Sequence, residues 1–153
     1  MTPDTESVPL RASEVADPAM LIEQLAREHR LSDGVVLLAL VKHPSTEQEV
    51  VHVEPFPGGL VDPVPTDLND QLYEVMQHLP LPEQHFPIEH CVVTVIVRSG
   101  LTVLGRREMG WILGWLYSNH GQSAFTGDLI LVTEHGWLDW VTGWGGYEPR
   151  MIA

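Results

Sequence analysis

The stretch His90-Cys-Val-Val-Thr-Val-Ile-Val-Arg98, then Gly105-Arg-Arg-Glu-Met-Gly-Trp-Ile-Leu-Gly-Trp-Leu-Tyr-Ser-Asn-His120, then Asp128-Leu-Ile-Leu-Val-Thr133 and Glu134-His-Gly-Trp137, decides the fold class. The first run is β-branched and apolar without alternation, as in a strand covered on both faces. The second has the 3.6-residue period of a helix, and the third is again a short apolar run. Strand, helix and strand in this order predict one α/β unit at the centre of the fold.

Working outward toward the N-terminus, Val35 to Val41 is a second continuous apolar run. Periodicity alone fits a buried helix too, but the length and the flanking Gly34 and Pro44 favour a strand. Glu49 to Glu54 places Val51 and Val53 on one face and His52 and Glu54 on the other, so the two runs are expected to form an antiparallel hairpin. Ahead of them, Asp17-Pro18 starts a helix that carries Met20, Leu21, Ile22 and Leu25. Between the hairpin and His90, four prolines and Gly58-Gly59 make residues 55–65 a loop. Thr66 is the expected cap of an amphipathic helix with Leu68, Leu72, Val75, Met76 and Leu79 inward. After Thr133 the chain turns at His135-Gly136. Trp137 to Trp144 then reads either as a returning hairpin strand or, from the Trp137, Trp140, Trp144 spacing, as a helix.

The expected architecture is therefore α/β (α+β): a single mixed sheet with about three helices, in the order helix, strand, strand, helix, strand, helix, strand, strand. Residues 1–16 are expected to be a disordered acidic tail, 17–144 one domain, and 145–153 a loose C-terminal tail.

Composition narrows the function classes. The 153 residues carry a formal net charge of −13, unevenly placed: residues 1–90 hold 16 acidic and 4 basic side chains, residues 91–153 hold 5 and 4. An acidic front half repels phosphate backbones, so nucleic acid is not an expected partner. No apolar run approaches the roughly 20 residues of a membrane span. With one cysteine, Cys91, there is no internal disulfide, and a soluble cytoplasmic protein is the expectation. No cofactor is expected.

The element order, closing on Thr126-Gly-Asp-Leu-Ile-Leu-Val-Thr-Glu-His-Gly-Trp137 after a long helix, resembles the JAB/MPN domain as found in RadC-like proteins, over about residues 18–144. The resemblance implies an opening helix and hairpin, a second helix, a central strand, a third helix and closing strands. It would also imply a zinc hydrolase whose ligands are a His-x-His pair leaving the central strand with serine and aspartate at the next helix, and whose acid/base is a glutamate of the early hairpin. Here the strand leaves through Arg98-Ser99-Gly100 and the helix begins Gly105-Arg106-Arg107-Glu108, so no zinc ligand carries over. Glu49 and Glu54 lie in the hairpin without a metal to serve.

Four groups of residues are candidates for function. His120, Asp128, Glu134 and His135 flank the last apolar strand and have zinc-ligand chemistry; the alternative is solvent-facing or capping side chains. Arg98, Arg106 and Arg107 surround a helix N-terminus suited to an anion; the alternative is a solvated patch offset by Glu108. His90-Cys91 does not read as a catalytic pair, because neighbours in a strand point to opposite faces, and Cys91 is expected to be structural. Finally, all five tryptophans lie between 111 and 144. Trp111 and Trp115 are expected in the core, while Trp137, Trp140 and Trp144, with the helix notches Gly110 and Gly114, form the expected interface with a protein partner or a second copy.

The reading is a non-catalytic, JAB-like interaction or self-association module. The alternatives are a metal-dependent hydrolase using His120 and His135 with Asp128 or Glu134, and anion or nucleotide binding by Arg98, Arg106 and Arg107.

Overall fold

Asp17 caps the first helix as its sequence suggests, accepting a hydrogen bond at Oδ1 from the Met20 amide at 3.1 Å, with Pro18 opening the first turn. The structure, a computed structural model, describes residues 14–61, 65–83, 87–118 and 124–152. Within them the elements run α1 (Pro18–Glu28), β1 (Val36–Lys42), β2 (Glu49–Pro55), α2 (Leu68–His78), β3 (His90–Val97), α3 (Arg106–Ser118), β4 (Phe125–Thr133), β5 (Gly136–Asp139) and β6 (Gly145–Gly146).

The strands form one mixed sheet in the order β2-β1-β3-β4-β5-β6. Only β3 and β4 are parallel, joined by the α3 crossover. The expected architecture is what forms, and among the described residues no helix is long and apolar enough to cross a membrane.

The non-alternating strands are explained by apolar layers on both faces. Val36, Leu38, Leu40, Val92, Ile96, Leu129 and Leu131 point toward Leu68, Leu72 and Met76 of α2 and Trp111, Ile112 and Trp115 of α3. Leu37, Ala39, Val41, Val93, Val95, Ile130 and Val132 point toward Leu21, Ile22 and Leu25 of α1. A strand with layers on both sides needs no polar face.

Several expectations are corrected at this level. Val51 is exposed while Val50 and Val53 pack inward, because the register between β1 and β2 slips between Leu40 and Val41. Such a bulge resets the two-residue alternation. The α2 cap position is Asp67 and not Thr66, and Asp67 Oδ1 accepts from Gln71 Nε2 instead of capping an amide. Trp137 to Trp144 is the hairpin alternative: β5, a turn, and β6.

Both ends of the domain reach further than expected. Val15 is fully buried, and the Ala16 amide donates to the Pro44 carbonyl at 2.8 Å, so the ordered unit begins before Asp17. The rest of the expected tail, residues 1–13, lies outside the described residues. Residues 145–152 are not loose: β6 pairs with β5, the Met151 amide donates to Thr133 O at 2.8 Å, and the Ile152 amide to Leu31 O at 3.1 Å. Gly136 permits this close return. Its φ of +136° suits glycine, and a Cβ there would collide with the Gly146 carbonyl.

Candidate functional site

At the carboxyl end of β3 the chain enters residues 99–105, and Arg98 organises them. Its Nε donates to Glu108 Oε2 at 2.8 Å and its Nη2 to Oε1 at 3.0 Å. The remaining donors go to the carbonyls of Ser99 (3.1 Å), Leu101 (3.3 Å) and Val103 (2.8 Å). A guanidinium has five N–H groups, and these five bonds use all of them. Arg98 therefore has no donor left for a ligand, and its expected role in anion binding is corrected to an internal staple. Of the three arginines, only exposed Arg106 and half-buried Arg107 face outward at the start of α3.

Glu108 completes the motif. It is fully buried, and besides the fork it accepts from the Gly105 amide at 2.6 Å, the return half of a capping box. Burial pushes its carboxyl up, but the Arg98 fork, the Gly105 amide and the charges of Arg98 and Arg107 outweigh burial and hold it below the ordinary glutamate range. The same bond raises the Arg98 guanidinium above its already high value. Ser99 N to Asp33 Oδ1 (3.0 Å), Gly100 N to Glu134 Oε1 (2.9 Å) and Thr102 Oγ1 to Thr133 Oγ1 (2.7 Å) fasten the loop to its neighbours.

Among the described residues the candidate metal set does not assemble. His120 lies outside the described residues. Asp128 stands near the start of β4, whereas Glu134 and His135 follow its end, about 20 Å of extended chain away. Glu134 is instead an acceptor for the 99–105 loop, and hydrogen bonds from its own and the Gly100 amide hold its carboxyl below the ordinary range. Among the described residues no three histidine, cysteine or acidic side chains are placed to hold a metal ion.

Asp128 belongs to a different cluster, one that the sequence reading missed. Both it and Asp139 are buried, at 3% and 0% exposure. The pairing of Ile130 with Asp139, and of Val93 with Asp128, puts both carboxyls on the α1 side of the sheet, close to Cys91. Both Asp128 oxygens and Asp139 Oδ1 are buried without a well-formed donor among the described residues, although the Leu129 amide lies near enough to favour the ionised form. Burial, contact with the Asp139 carboxyl and its charge push the Asp128 carboxyl well above the ordinary range. Burial, then Asp128 and Asp139, push the Cys91 thiol up, so it is a neutral core residue as expected. The signal for Asp139 was available: a turn after Thr133 brings Asp139 back beside the strand that carries Asp128.

The tryptophans divide. Trp111 and Trp115 are core: Trp111 meets Phe56 edge-on with ring centroids 4.8 Å apart, and Trp115 Nε1 donates to Thr94 Oγ1 at 2.6 Å. Trp137 joins them instead of the interface, only 7% exposed and donating from Nε1 to the Glu148 carbonyl at 2.9 Å. Trp140 and Trp144 are partly exposed. A cleft of about 430 Å³, lined by Thr102, His135, Trp137, Gly145, Gly146 and Tyr147, opens along this edge.

Gly114 is also explained within the chain. A Cβ there would come within 3.1 Å of Leu72 Cδ1 and 3.3 Å of Leu68 Cδ2, so the notch admits α2 and not a partner. Gly110 is half-buried beside a small cleft shared with Pro65, Leu68 and Leu113.

The uncovered part of α3 is its outer face. Met109, Leu113 and Leu116 are 43%, 50% and 62% exposed, and every residue from Met109 to Leu116 is apolar or glycine. Comparison with protein-family models, with curated proteins and with solved structures finds no match to this chain.

Proposed function

We propose that this chain is a protein-interaction module that associates with a second copy of itself through the outer face of α3. The observation that carries the reading is the apolar stripe Met109, Leu113, Leu116, at the i, i+4, i+7 spacing of one helix face. A surface helix ordinarily presents charged or polar residues outward, and an apolar one marks a contact.

Three further features favour a like partner. The stripe lies in the charge-balanced residues 91–153, so two copies meeting there avoid the acidity of residues 1–90. An antiparallel α3 pair sets Arg106 and Arg107 of one copy near the carbonyl end of the other helix, where positive charge is favoured. The sheet edges suit association less: β2 presents Glu49, Glu54 and Pro55, and β6 has only two residues. The order α1-β1-β2-α2-β3-α3-β4-β5 supports a JAB-like layout for the module.

Light scattering on the eluting protein tests the association. At tens of micromolar the chain is expected to run as a dimer, and Leu113→Glu and Leu116→Glu each to run as a monomer with an unchanged melting temperature. A wild-type monomer at hundreds of micromolar overturns the reading.

A further inference from the structure

Two acidic side chains in contact inside an apolar layer need a proton. If Asp128 and Asp139 were both ionised, like charges would meet where little water screens them, and three of their four oxygens would lack donors. One proton turns that acceptor-to-acceptor contact into a donor and an acceptor. Among the described residues the Leu129 amide is the one group acting on Asp128 that favours the ionised form; the charged neighbours, Asp139 at the end of β5 and Glu14 ahead of α1, are acidic and oppose it.

Asp139 also builds the turn that follows it. Its Oδ2 accepts from Thr142 Oγ1 at 2.7 Å, its carbonyl from the Gly143 amide at 2.9 Å, and its amide donates to the Trp144 carbonyl at 2.7 Å. Trp140 is tied in next, donating its amide to the Leu129 carbonyl at 2.9 Å, one residue from Asp128. The carboxyl pair and the tryptophan turn are thus one bonded unit.

We propose that Asp128 holds a proton at neutral pH and donates it to Asp139, and that this hydrogen bond is a pH-sensitive latch fastening the 139–144 turn, with Trp140 and Trp144, to β4. The proton leaves to solvent base as pH rises, and the resulting pair of carboxylates repels and loosens the turn. The direction follows from linkage. A carboxyl whose folded value lies above its unfolded one adds stability that is complete below the ordinary aspartate range and is lost as pH rises through the folded value. The latch therefore holds at low pH and opens as pH rises through the folded value. Its existence does not depend on the α3 interface.

Infrared spectroscopy of the wild-type protein at pH 7 should show the carbonyl stretch of a buried protonated carboxylic acid, and Asp128→Asn should remove it. A wild-type spectrum without that band overturns the latch, whether or not the variant folds. In thermal melts between pH 6 and pH 9 the wild type should lose several degrees. Asp128→Asn, whose amide donates without titrating, should lose much less, with slower hydrogen exchange at the Gly143 amide in alkali. Equal pH slopes for the two proteins would also overturn it.

Discussion

The parallel strands β3 and β4 have a buried ionisable pair at each end, and the two pairs solve opposite problems. At the carboxyl end Arg98 meets Glu108, unlike charges whose five donors and waiting acceptors are matched almost one for one. Near the amino end of β4 Asp128 meets Asp139, like charges short of donors. The first pair keeps its ions by complete hydrogen bonding, which offsets the loss of hydration. The second is best satisfied by giving up a charge. The difference teaches that burial alone sets neither state; what decides is whether donors and acceptors balance.

The contrast predicts a hierarchy of effects. The largest belongs to Arg98→Ala, which leaves Glu108 buried without its counter-ion and three loop carbonyls without a donor. Urea unfolding should show a loss of about 3–5 kcal/mol. A loss no larger than that of a surface substitution would break the comparison. Glu108→Gln keeps the shape but removes the charge, and should cost about 1–3 kcal/mol at neutral pH. Its sign with pH sharpens the contrast. Because the folded Glu108 carboxyl lies below its ordinary range, its contribution is present above the unfolded value and lost as pH falls through the folded one. Melts from pH 7 downward should therefore fall more steeply for the wild type than for Glu108→Gln, the mirror image of the Asp128 behaviour. The smallest effect is Thr142→Ala, which removes the hydroxyl that donates to Asp139 Oδ2 and should cost about 1 kcal/mol by chemical denaturation.

Much of the fold was legible in local pattern. The unbroken apolar runs at 35–41 and 91–97 announced strands covered on both faces, and Leu68, Leu72 and Met76 announced the inward side of α2. The bulge that exposes Val51 was not legible, because a register slip is set by how two strands meet. The pairing of residues 145–152, read from the sequence as part of a loose tail, was not legible for a related reason. Gly145-Gly146 looks featureless until Gly136 and Trp137 stand beside it.

The candidate site was less legible. Arg98 is legible as a cation beside a helix start, but its buried pairing with Glu108 is not, since ten residues separate the two and only the start of α3 folds one onto the other. Asp128 is legible as a ligand-type side chain, whereas its tie to Asp139 depends on the β4–β5 pairing that brings the two carboxyls together.

The sequence by itself determined the helices and strands as far as Thr133, that both faces of the sheet are covered, and that charge is concentrated in the first ninety residues. Those properties follow from the period of apolar residues and from composition, which are local or additive. Only the tertiary structure decided which charges meet, which tryptophans stay wet, and that the glycine notch of α3 serves α2. These depend on distances between residues far apart in the chain, and a hydrogen bond forms or fails within a few tenths of an ångström.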